Sequence, residues 1–143
     1  MSSQIIRIKS VLAAAAIILI GIPLCLSLTA ALAAGKSAPT AVFLGFLLCG
    51  LLLPVLLAGY IAGKLAPGRE KANAAAAAIA AITPGLLAFV ANLEWNIQRY
   101  QKFLGGSRGD LAVGIFFSIV LFVLVALAGA HLRELAVKRR RSL

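Results

Sequence analysis

The chain has 143 residues, 62% hydrophobic and 13% charged, with a mean hydropathy of +1.04 and a formal net charge of +10. Soluble domains are about 45–50% apolar and about 25% charged, and a chain this long still exposes about a third of its unfolded surface, so a water-soluble globule is excluded and the bilayer is the natural solvent. The cations sit between long apolar runs and at the chain ends rather than along a stripe, and no RNA- or DNA-binding motif is present, which excludes nucleic acid as the partner.

A helix needs roughly 20 apolar residues to span the hydrocarbon core, and in lipid every backbone polar group needs an internal partner. Four segments meet the length, so the chain reads as a single membrane domain over 1–143, an all-α integral membrane four-helix bundle. The first span, about 11–34, follows Arg7 and Lys9 and carries no charge. An alternative reading is a cleaved signal peptide ending at Ala31-Leu32-Ala33. Its apolar run of about 24 residues exceeds the usual hydrophobic region of about 7–15, so the segment is expected to be retained. Cys25 follows Pro23-Leu24 rather than a small residue, which disfavours a lipoprotein anchor.

The turn Ala34-Gly35-Lys36-Ser37-Ala38-Pro39 leads to the second span, about 40–62, with Ser37 or Thr40 as its expected cap. Lys64, Pro67 and Gly68 close it. The third span is about 72–91 and is almost pure alanine from Ala74 to Ala81.

The segment 92–104 differs. Leu93, Ile97, Tyr100 and Leu104 recur at helical spacing among charged and amide residues, which predicts an amphipathic helix at the outer membrane surface or an extension of the third span, with Trp95 and Tyr100 at headgroup depth. Gly105-Gly106-Ser107-Arg108-Gly109 is a flexible break, and Asp110 is the expected N-cap of the fourth span, about 111–130. A basic cytoplasmic tail, 133–143, ends the chain.

Flanking charge sets orientation. Of the 14 Lys and Arg, ten flank one side (Arg7, Lys9, Lys64, Arg69, Lys71, Arg133, Lys138, Arg139, Arg140 and Arg141) and four the other. The ten-cation side is expected to be cytoplasmic. Both termini are then inside, as an even number of spans requires.

Helices in lipid associate by close packing, so small residues spaced at i, i+4 mark contact faces. Gly59 and Gly63 form such a pair, with Ala58, Ala62 and Ala66 beside them. Gly21 and Cys25 begin a series on the first span, and Gly114 and Ser118 one on the fourth. Packing of these faces within one tight bundle is the first expectation, and contact with other membrane helices, in a homo-oligomer or a larger complex, is the expected partnership. Leu57–Leu65 also lines up with Leu127–Leu135 at an offset of about 70, and Ala13–Ala16 with Ala74–Ala77 at about 61, a weak internal repeat.

Pro23, Pro54 and Pro84 lie near the middle of three spans, and each removes one helical hydrogen bond. Such prolines shape a bundle. They also create midplane solute sites in some transporters, which makes Pro23, Pro54, Thr83 and Pro84 a candidate midplane site.

No Asp, Glu, Lys, Arg or His lies deep within a span, which disfavours proton-coupled transport, including the small four-helix multidrug exporters that rely on a membrane carboxylate in the first helix. No nucleophile–base–acid set appears, and His131 stands by itself beside Arg133 and Glu134, so the chain is not expected to be an enzyme. Two cysteines without a CxxC and one histidine suggest no metal and no cofactor. Lys138, Arg139, Arg140 and Arg141 suit anionic lipid. Phage holins also end in basic tails and are a second functional class.

The stretch Ala58-Gly59-Tyr60-Ile61-Ala62-Gly63-Lys64-Leu65-Ala66-Pro67-Gly68, followed by an alanine-rich helix, resembles small uncharacterised four-helix bacterial inner-membrane proteins. The likeness covers about a third of the chain. It implies a four-span protein of the bacterial inner (plasma) membrane and carries over no active residues. The functional expectation is a non-enzymatic membrane protein acting by helix–helix association, as accessory subunit or self-associating scaffold, with a small channel or facilitator as the alternative.

Overall fold

A computed structural model describes residues 7–33 and 40–141. The 34–39 turn, with the expected cap Ser37, and the last two residues of the basic tail lie outside the described part, and Thr40 is the first residue of α2. The described chain is all-helical: α1 (Ile8–Ala33), α2 (Thr40–Leu65), α3 (Glu70–Ala91), α4 (Leu93–Leu104) and α5 (Arg108–Arg141). Helices α1, α2, α3 and α5 are each long and apolar enough to cross a membrane. Pro23, Pro54 and Pro84 sit inside continuous helices. Thr83 Oγ donates to the Ile79 carbonyl (2.8 Å), just before the turn that Pro84 disturbs.

Two boundaries differ from expectation. The fourth spanning helix starts at Arg108 rather than at Asp110, because Ser107 is the cap. The Asp110 N–H donates to Ser107 Oγ (3.2 Å), while Ser107 N–H donates back to Asp110 Oδ2 (2.7 Å). This reciprocal pair is a capping box with Asp110 in its third position. The same helix then runs on through the basic residues to Arg141 instead of ending near 130. Nothing after Gly129 breaks it, and Leu, Ala, Lys and Arg are good helix formers. At about 1.5 Å per residue it is about 51 Å long, well beyond a hydrocarbon core of about 30 Å.

α3 and α4 are separated by Asn92, whose side chain donates to the Ala88 carbonyl (3.1 Å), while Asn96 Nδ2 donates to that of Phe89 (3.0 Å). α4 buries Ile97, half-buries Tyr100 and exposes Leu93 and Trp95. Gly105 closes it at φ +66°, a left-handed cap that glycine adopts without strain, with its N–H on the Gln101 carbonyl (3.0 Å).

α2 and α3 form the short diagonal of the bundle. Each touches α1 and α5 and they touch each other, whereas α1 and α5 do not meet among the described residues. The core is built from alanine: Ala14, Ala58, Ala62, Ala74, Ala77, Ala78, Ala126 and Ala130 are buried, with Ile18 and Val55. Large residues such as Ile20, Leu24, Leu53, Leu87, Phe116 and Phe117 point outward. Close packing of small residues gives this core its dispersion contacts.

Candidate functional site

The closest approach in the bundle is between α2 and α5. A Cβ added at Gly59 would strike the Ala126 carbonyl oxygen and lie 2.9 Å from its Cα. One at Gly129 would strike the Leu56 carbonyl oxygen and lie 2.9 Å from the Tyr60 nitrogen. Each glycine lies against the carbonyl of the residue three positions before the other, so Gly59 and Gly129 share one helix crossing. The same offset of 70 residues relates Leu56 to Ala126 and Gly59 to Gly129, so the contact is two-fold symmetric in sequence as well as in space. The segments that match in sequence are the ones that pack together.

The other marked glycines have different neighbours. A Cβ at Gly21 would lie 2.8 Å from Pro54 Cβ, where α1 crosses α2. One at Gly63 would lie 3.3 Å from Glu70 Cγ and 3.4 Å from Arg133 Cγ, so Gly63 makes room for two charged side chains rather than for a backbone. Cys25 is half-buried. Gly114 and Ser118 are exposed within a cavity; a Cβ at Gly114 would meet nothing within 4 Å, and Ser118 Oγ returns its proton to the Gly114 carbonyl (2.8 Å).

One end of the bundle is polar and basic. Here Arg7 N–H donates to Asn73 Oδ1 (2.8 Å), and Asn73 Nδ2 donates to the Arg69 carbonyl (2.9 Å). Ser10 Oγ donates to the Ala62 carbonyl (3.0 Å). Asn73 and Ser10 are almost fully buried, and together they tie the start of α1 to the α2–α3 turn. Glu134 lies 3.7 Å from Lys71 Nζ and 3.4 Å from His131 Nδ1, joining α5 to α3. Among the described residues every buried side-chain N or O has a partner. Lys138, Arg139 and Arg140 are exposed beyond this end.

Toward the α4 end the bundle opens. A cavity of about 660 Å³ lies between α1, α3 and α5, with Tyr100 of α4 and Asp110 at its polar end and Ile18, Ala81 and Phe122 at its apolar end. Of the four candidate midplane residues only Pro23 lines it. Pro54 is buried against Gly21, and Thr83 and Pro84 are exposed. Arg99 stacks 4.4 Å over the Trp95 ring on α4, and Arg108 reaches Glu94 at 3.4 Å across the α4–α5 turn.

Sequence reading passed over Asn73, Ser10 and Gly129. Asn73 left a signal, an amide inside an alanine run. Gly129 left one in the offset that pairs it with Gly59. Ser10, a hydroxyl at the start of an apolar helix, left none.

No family model matches the chain, and no curated protein or solved structure gives a significant match.

Proposed function

We propose that this chain is a non-enzymatic multi-pass protein of the bacterial inner membrane, with both termini cytoplasmic, that acts through helix–helix association as an accessory subunit or a self-associating scaffold. Orientation rests on charge. Arg7, Lys64, Arg69, Lys71 and Arg133 belong to the chain ends and turns that gather at one end of the bundle, the end expected inside by the excess of Lys and Arg. Exposed Lys138, Arg139 and Arg140 extend the helix there, each adding roughly 1 kcal/mol of attraction to an anionic leaflet.

The observation that carries the association reading is the poor burial of α5. Only 6% of its apolar window is buried inside the bundle, against 39% for α2. Its outer half leaves Val113, Phe116, Phe117, Leu121 and Leu124 unpartnered on one flank. With the Gly59 contact used internally, this flank is the apolar surface assigned to another membrane helix. The test is mass analysis of the intact assembly after gentle-detergent purification. A stoichiometric membrane partner or a defined homo-oligomer is expected, lost on Phe116→Ala plus Phe117→Ala. A monomer without partners would refute the reading.

The second reading, a small facilitator, draws support from the cavity beside Pro23. It predicts uncoupled solute flux through the purified protein in liposomes. Sealed liposomes across ions and small solutes would argue against it.

A further inference from the structure

The cavity between α1 and α5 has a shape and depth that point to its occupant. Its α5 wall runs from Asp110 to Phe122, about 18 Å at about 1.5 Å per residue. One leaflet of a hydrocarbon core of about 30 Å is about 15 Å deep. With Asp110 at headgroup level, a cavity of this length reaches about as far as the bilayer midplane. Because the backbones of α1 and α5 stay apart among the described residues, the cavity opens between these two helices, with α3 as its floor. Ile18, Ile22, Leu86, Ile115 and Ile119 make its walls aliphatic. Its polar groups sit at the end that faces α4: Tyr100 and Asp110, with Arg108 beside them in sequence. The Asp110 carboxylate accepts from the Ser107 N–H and the Asp110 N–H donates to Ser107 Oγ, so this end of the cavity carries a fixed negative charge at the start of α5.

We infer that this slot holds one acyl chain of a phospholipid from the leaflet on the α4 side, entering laterally between α1 and α5. The methylenes lie along the isoleucine walls and the headgroup stays outside, level with Tyr100 and the Arg108-bearing turn. A volume of about 660 Å³ falls within the range of about 300–1,000 Å³ usual for small-ligand sites. The slot faces the flank of α5 opposite Phe116 and Phe117, so the inference stands or falls independently of the association reading.

Gly114 supplies the test, because a side chain there projects into open space in the slot and does not disturb the bundle. The full chain, purified in mild detergent and stripped of lipid, is titrated with palmitoyl-oleoyl phosphatidylglycerol and read by native mass spectrometry. The expected result is one phospholipid held through activation that strips the others, with occupancy reduced at least about tenfold by Gly114→Phe. Ser118→Leu, a second plug, should do the same, and Val113→Phe, on the outward flank, should not. Equal retention by wild type and both plugs would overturn the inference. So would a wild type that holds no lipid but forms a dimer lost on plugging, which would assign the slot to a second copy of the chain.

Discussion

Gly59 and Gly129 share one helix crossing, each lying against a backbone carbonyl that a methyl group would strike. Two close Cα–H···O=C contacts of this kind stabilise a parallel helix crossing only while both residues lack a Cβ. Gly59→Ala and Gly129→Ala should each cost about 1–3 kcal/mol by forcing the helices apart. Reversible unfolding in mixed micelles measures the loss. Because the two sites share one crossing, the double variant should cost less than the sum of the singles. Additive losses would show that the crossing is not a single unit.

Gly114→Ala is the matched control. A Cβ there meets nothing, so this substitution should be neutral or stabilising by up to about 1 kcal/mol from helix propensity. A loss comparable to that at Gly59 would mean that the flank is packed in the folded protein.

The Gly21–Pro54 contact predicts a size-compensating pair. Gly21→Val should destabilise the bundle, since even Cβ would lie 2.8 Å from Pro54 Cβ. Adding Pro54→Ala should recover part of that loss, because it removes the ring atoms and restores the helical N–H. A double variant no better than Gly21→Val would place the strain elsewhere.

Asn73→Ala removes the acceptor that holds the Arg7 N–H at the start of α1, together with the amide's own bond to the Arg69 carbonyl. A buried donor left without an acceptor costs about 1–3 kcal/mol. Faster amide exchange at Arg7 and the first turn of α1, with α5 unchanged, is the expected signature. Ser10→Ala should act in the same direction and more weakly, as the Ala62 carbonyl keeps its own helical partner, the Ala66 N–H.

Orientation is open to direct labelling. With Cys25 and Cys49 replaced by alanine, Gln98→Cys on α4 should react with an impermeant maleimide in intact cells. Lys138→Cys at the far end of α5 should react only after the membrane is opened. The reverse pattern would invert the topology read from charge.

What the sequence alone determined was the all-helical class, the number of long apolar helices and most of their extents. Lipid leaves the backbone no other way to satisfy its polar groups, so a run of about 20 apolar residues is a helix whatever surrounds it. The amphipathic α4 was legible for a similar reason, since its charges at helical spacing cannot enter hydrocarbon. Tertiary structure decided which faces meet. Every spanning helix carries small residues at contact spacing, and only the register between helices separates Gly59, pressed against Ala126, from Gly114, open to a slot. It decided as well that Ser107 rather than Asp110 caps α5, and that the basic stretch continues the helix. Those outcomes depend on which backbone lies opposite and on which hydroxyl reaches which amide, and both are properties of distance between segments rather than of the residues within one.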